Sequence, residues 1–301
     1  MSIARLARQL VLPFLFAAPA VYAQPVAPGS LLGSTGNQGN SLISIDPGTG
    51  GGTPRCALGS LGPVTEIEYR ADGALFGATG QGSANIIQIN PDGCAETLVG
   101  HHDPGAVNGL EFVGNLLYGA FFSTGGGEGI PPTYLVTVNQ TTGALAILGA
   151  MGYSPVRGLA WDAGTGTMYG VGSTTTLPPD GVSGSDELFT VDLATGATTP
   201  IGPTGIPLGG IEIGPDGVLY GGASGAPGEG GGGAPLVAVS RTTGLATPIG
   251  SGTGAPALSG LAFAPAGPAP SVLEIPTVSE VGLALLTALL GGAAVALLRR
   301  R

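Results

Sequence analysis

Residues 187–220 read ELFTVDLATGATTPIGPTGIPLGGIEIGPDGVLY, and the same pattern recurs on either side of them. Short apolar runs at 188–191, 197–201, 210–213 and 218–220 are each closed by Asp, Gly, Pro or Thr. Runs of that length between turn residues predict strands, and none is long enough for a helix.

The runs fall into an array. Its first strand has five copies: Glu66-Ile67-Glu68-Tyr69, Gly109-Leu110-Glu111-Phe112, Gly158-Leu159-Ala160-Trp161, Gly210-Ile211-Glu212-Ile213 and Gly260-Leu261-Ala262-Phe263. Their second residues are spaced by 43, 49, 52 and 50 positions, a period typical of four-stranded propeller blades. A Leu-Tyr-Gly type second strand follows at Gly77, Gly119, Gly170 and Gly221, and the third strand ends before a turn at Asp46, Asn90, Asn139, Asp192 and Ser240. The fourth is of the Thr-Pro-Ile-Gly type, as at 199–202 and 247–250.

The two ends of the array complement each other. After Phe263 the chain enters Pro265, Pro268 and Pro270, so the last copy has a first strand only. At the front, residues 31–33, 42–46 and 56–59 supply three strands with no first strand before them. Joining them completes a fifth blade and leaves no open sheet edge between blades. The expected fold is all-β, a five-bladed β-propeller over residues 24–264 closed by its N-terminal strands. An open solenoid is the alternative, but solenoids need capping repeats and none is visible. The long loops 121–133, 171–186 and 222–235 are nearly uncharged, and linking is their expected role despite Asp180, Asp186 and Glu229.

Composition changes this picture at both termini. Residues 1–23 have the parts of a secretory signal helix: Arg5 and Arg8, an apolar stretch over 10–20, and the A-x-A-like site Val21-Tyr22-Ala23. Export permits a disulfide, and Cys56 and Cys94 are the only cysteines. Both are assigned to outermost strands of neighbouring repeats. A bridge needs those strands within about 7 Å between Cα atoms, so the sequence leaves the paired and the free form open.

At the other end, residues 265–274 form a Pro-rich linker, and the uncharged run 281–298 precedes Arg299, Arg300 and Arg301. Eighteen residues at about 1.5 Å rise are long enough for a transmembrane helix, and the terminal arginines place its end in the cytoplasm and the propeller outside.

Ile275, Pro276, Thr277, Ser279, Glu280, Gly282, Arg299, Arg300 and Arg301 carry a resemblance to the IPTL-CTERM sorting signal, which covers residues 275–301. Val278 and Val281 depart from its usual Leu and Trp. The resemblance implies an exosortase-type sorting enzyme as partner and a Gram-negative host. It further implies a precursor held in the inner membrane, cut near Pro276 and passed to the cell surface or released.

Chemistry is sparse. The chain has a net charge of −10 and no Lys, and Arg55, Arg70, Arg157 and Arg241 face 17 acidic residues over 46–229. Such a surface repels phosphate backbones, which excludes nucleic acid as a partner. Esterase, metalloprotease and nucleotide-binding motifs are absent. His101 and His102 are adjacent in an expected turn, and neighbouring side chains in an extended segment diverge, so they make a poor joint metal site. Asp46, Asp72, Asp92, Asp192 and Asp216 are expected to form turns.

One constellation remains. The third slot of the first strand holds Glu68, Glu111 and Glu212 in three copies, and Ala160 and Ala262 in the other two. Equivalent slots of a propeller point the same way, so the three carboxylates are candidates for one level around the axis, where oxygen ligands suit Ca²⁺. The alternative is that they are solvated or paired, for instance with Arg157. Two functions compete: a non-enzymatic surface propeller that recognises a polysaccharide or protein, and an extracytoplasmic metal-dependent hydrolase of the lactonase kind. The scarcity of His and the absence of Lys favour the first, with no cofactor beyond a Ca²⁺ candidate.

Overall fold

A computed structural model describes residues 25–80, 84–102, 105–123, 132–174, 186–225 and 233–266. The expected signal helix over 1–23 and the C-terminal transmembrane helix lie outside these residues. No helix among the described residues is long and apolar enough to cross a membrane.

In chain order, β1 (Leu31–Ser34), β2 (Ser41–Ile45) and β3 (Gly52–Ala57) come first. A complete blade follows: β4 (Val64–Tyr69), β5 (Leu75–Thr79), β6 (Asn85–Ile89) and β7 (Glu96–His101). The next comprises β8 (Ala106–Val113), β9 (Leu116–Phe122), β10 (Thr133–Val138) and β11 (Leu145–Ala150). Then come β12 (Tyr153–Asp162), β13 (Thr167–Thr174), β14 (Glu187–Val191) and β15 (Thr198–Pro203). The last complete blade is β16 (Leu208–Ile213), β17 (Leu219–Ala223), β18 (Leu236–Val239) and β19 (Ala246–Ile249), after which β20 (Gly260–Phe263) stands alone in sequence.

β20 does not stand alone in space. It pairs antiparallel with β1, Leu31 opposite Phe263 and Ser34 opposite Gly260, to give the sheet β20-β1-β2-β3. The five four-stranded sheets are therefore four continuous blades and one built from both ends of the domain. The first strands β4, β8, β12, β16 and β20 touch one another in succession, and β20 touches β4 to close the ring. This is a five-bladed propeller.

Its core is divided among the interfaces between blades. Five apolar clusters occur among the described residues, each drawing on two neighbouring blades. The period of two along a strand sends alternate side chains to opposite neighbours. In β1, Leu31 packs toward Tyr220 and Leu236 of the last complete blade, while Leu32 packs toward Ile67 and Leu75 of the first.

Glycine sets the approach of the first strands. A Cβ on Gly158 would meet the backbone of Gly210 and Ile211 at 2.7–3.1 Å, and one on Gly109 would meet Gly158 and Leu159 at 3.2 Å. The repeat glycines mark where one inner strand lies directly on the next. At the rim, outermost strands carry Pro54, Pro200 and Pro248 in equivalent slots, opposite Ile43, Phe189 and Val237. Proline has no N–H to offer a passing strand, which blunts those edges. The same slot holds exposed Leu98 and Ile147 in the two remaining blades.

The rim also explains the cysteines. In four interfaces a glycine on the outermost strand (Gly100, Gly149 or Gly202) or just after it (Gly250) abuts the turn of the next blade that ends in Gly143, Gly196, Gly244 or Gly50. At the fifth interface, between the closing blade and the first complete one, Cys56 and Cys94 occupy the corresponding positions. They are joined by a disulfide with Cα atoms 5.9 Å apart. Cys56 lies on β3 as assigned, but Cys94 is in the turn between β6 and β7 rather than on an outermost strand. Its φ of 53° matches the 69–81° of the equivalent turn glycines. An L-residue adopts that conformation at a cost.

Candidate functional site

The third slot of each first strand faces the ring's interior. Glu68 on β4, Glu111 on β8 and Glu212 on β16 each bring one carboxylate oxygen within 4.8 Å of the other two. Ala160 on β12 and Ala262 on β20, both fully buried, fill the same slot without reaching the axis. Three carboxylates from three blades thus meet at one level. Arg157 is not their partner: it binds Asp186 at 3.3 Å.

Glu66 is a fourth member that the repeat pattern does not reveal. It stands in the slot that is glycine in the other four copies, and it is 1% exposed. Room for it comes from across the interface, where a Cβ on Gly260 would meet the Glu66 backbone and carboxylate. Its Oε1 accepts a hydrogen bond from the Ile67 N–H at 3.0 Å. The signal that could have found it was the departure from glycine itself.

The electrostatics are unusual. Glu68 and Glu111 are 7% and 6% exposed; Glu212 is only partly buried as a residue, but its Oε2 is shielded from solvent. Burial holds Glu66, Glu68 and Glu111 well above the usual carboxyl range, and the neighbouring glutamates push each further. Burial also raises Glu212, to about 8, against hydrogen bonds from Glu68 and the Ile213 N–H. Glu111 accepts from the N–H groups of Trp161 and Phe112. Even so, Glu66 Oε2, Glu111 Oε2 and Glu212 Oε2 are buried with no hydrogen-bond partner.

Other candidates resolve differently. His101 ends β7, with Nδ1 2.9 Å from Asn85 Oδ1, so it is a strand residue rather than part of a turn. Asp46 and Asp192 form the expected turns, each accepting from a backbone N–H two residues on at 2.9 Å. Asp72 and Asp216 do likewise, whereas Asp92 accepts from the Val26 N–H and pairs with Arg55. Asp186, expected only to help link two strands, is 2% exposed and binds Arg157, Ser173 Oγ and the Leu208 N–H. It anchors the start of β16 and is structural. Asp180, Glu229 and the sorting-signal residues lie outside the described residues.

The ring closure and the axial acids define a closed five-bladed β-propeller with a carboxylate-lined centre. Residues 275–301 match the IPTL-CTERM motif. The motif implies an exported, membrane-anchored precursor and processing by an exosortase-type enzyme. No curated protein matches the chain. Among solved structures, a chain of the nidogen/laminin complex is similar over 78% of this chain and 98% of its own, with a TM-score of 0.50 and 12% identity. A protein of unknown function from Bacteroides caccae is similar over 79% and 99%, with a TM-score of 0.46 and 12% identity. At this identity the likeness concerns the fold alone.

Proposed function

We propose that the protein is a non-enzymatic recognition module, exported through its N-terminal signal and sorted to the cell surface through residues 275–301. There the ring would bind a surface polysaccharide or protein. The observation that carries this reading is the joining of a closed, disulfide-linked ring to an IPTL-CTERM motif. The two histidines sit at and just after the end of an outermost strand, whereas the carboxylates sit on first strands, so neither histidine joins the carboxylate cluster. A hydrolase using a cation at Glu68, Glu111 and Glu212 is the second reading, favoured only by that cluster.

The sorting arm is tested by replacing Arg299, Arg300 and Arg301 with Glu and blotting cell fractions. The expected result is unprocessed precursor and loss of the surface form, because the cytoplasmic positive charge is gone. Unchanged processing contradicts it. Turnover of simple lactones or esters by the purified chain, lost in Glu111→Gln, would select the hydrolase instead.

A further inference from the structure

We propose that Glu68, Glu111 and Glu212 form a calcium site that ties three blades together across the propeller axis, with Glu66 beside it. This does not depend on what the ring recognises.

Missing partners are the first indication. Buried polar atoms are nearly always hydrogen-bonded, yet three carboxylate oxygens here are not, and they belong to neighbouring glutamates. Among the described residues no positive side chain supplies the balance. Arg55 pairs with Asp92, Arg70 with Asp72, Arg157 with Asp186 and Arg241 with Asp162, and the chain has no Lys. Glu66, at 1% exposure with an unpartnered Oε2, is a fourth buried acid beside the cluster and not one of its three clustered donors.

Geometry selects the ion. Three oxygens within 4.8 Å of one another can be reached by one ion at bond lengths of roughly 2.3–2.6 Å after small side-chain adjustments. Those are calcium distances. Magnesium wants about 2.0–2.1 Å and near-ideal octahedral angles, and it is seldom held by an all-protein carboxylate cage. The clustered donors are carboxylate oxygens alone, which disfavours zinc and copper. Waters entering from the open side of Glu212 would complete the shell. An ion here would link β4, β8 and β16, so blades that do not adjoin would be held by one centre.

Trp161 supplies a local probe. It is the only tryptophan, and its backbone N–H is bonded by Glu111. Terbium substituting for calcium should therefore emit when Trp161 is excited. The full-length chain, purified and freed of metal with chelator, is titrated with Tb³⁺, and the emission is then chased with Ca²⁺; calorimetry with CaCl₂ gives the stoichiometry. The expected result is one ion per chain, with a Kd for Ca²⁺ of about 10⁻⁴–10⁻³ M, as for extracellular calcium modules. Glu111→Gln and Glu212→Gln should weaken binding at least tenfold, while exposed Asp72→Asn should not. Absence of both tryptophan-excited emission and calorimetric heat up to millimolar Ca²⁺ overturns the site and leaves shared protons as the explanation. Equal binding by the glutamate variants overturns it too. Should a variant fail to fold, the wild-type titration still decides.

Discussion

Replacing Cys56 and Cys94 by Ser should lower the melting temperature of the propeller by about 10 °C. The bridge spans 38 residues, and the chain-entropy model gives about 4 kcal/mol for a loop of that size. For a domain of this length each kcal/mol moves the transition by roughly 2–4 °C. The position of the bridge adds to the effect, because it fastens the blade assembled from both ends of the domain to its neighbour. Replacing the pair by Gly should recover a few degrees of the loss. Glycine rebuilds the contact used at the other four interfaces, and it relieves the positive φ of residue 94. An unchanged transition in the serine variant would mean that the ring does not depend on the bridge.

A comparably large effect is expected from pH. In chelator, with no cation bound, the protein should melt higher at pH 5 than at pH 8, by about 5–10 °C. Glu66, Glu68, Glu111 and Glu212 all have pKa values raised on folding, chiefly by burial. Across the window from the ordinary carboxyl value near 4.5 to about 8, the value reached by Glu212, the folded state holds more protons than the unfolded one. Stability therefore falls as pH rises through that window. A tenfold change in a group's proton affinity on folding is worth about 1.4 kcal/mol, so four glutamates raised together suffice for a change of this size.

Other groups do not reverse the sign. His102 is lowered, chiefly by burial, and loses stability as pH falls below 6.5, but it is one half-buried residue. Asp46, Asp72, Asp162 and Asp192 are lowered from 3.8 and stay ionised throughout. Glu111→Gln should flatten the profile. A melting temperature that climbs from pH 5 to pH 8 would show that the axial acids are solvated.

The blade count was legible because packing geometry repeats. Four of the five first strands carry a glycine where one inner strand lies on the next, so glycine recurs at the blade period, and a strand deficit at one terminus matched a surplus at the other. The carboxylate level was legible for the same reason, since slot three holds Glu in three copies. Glu66 was not, because its burial depends on space left by Gly260 on a strand 194 positions away. The cysteines were visible, but their equivalence to a Gly–Gly contact exists only once an outermost strand meets the following turn. Asp186 read as a loop residue because nothing local shows that a loop end lies under two blades.

The closed ring, and with it the axial site, depends on β1 and β20 completing one blade. Native-state amide hydrogen exchange on the full chain reads that pairing at the backbone, since amides in a cooperative core exchange only through global opening. Closure predicts that Leu31–Ser34 and Gly260–Phe263 are protected as strongly as the first strands β8, β12 and β16. Exchange of these two segments orders of magnitude faster, with the other first strands still protected, would contradict it.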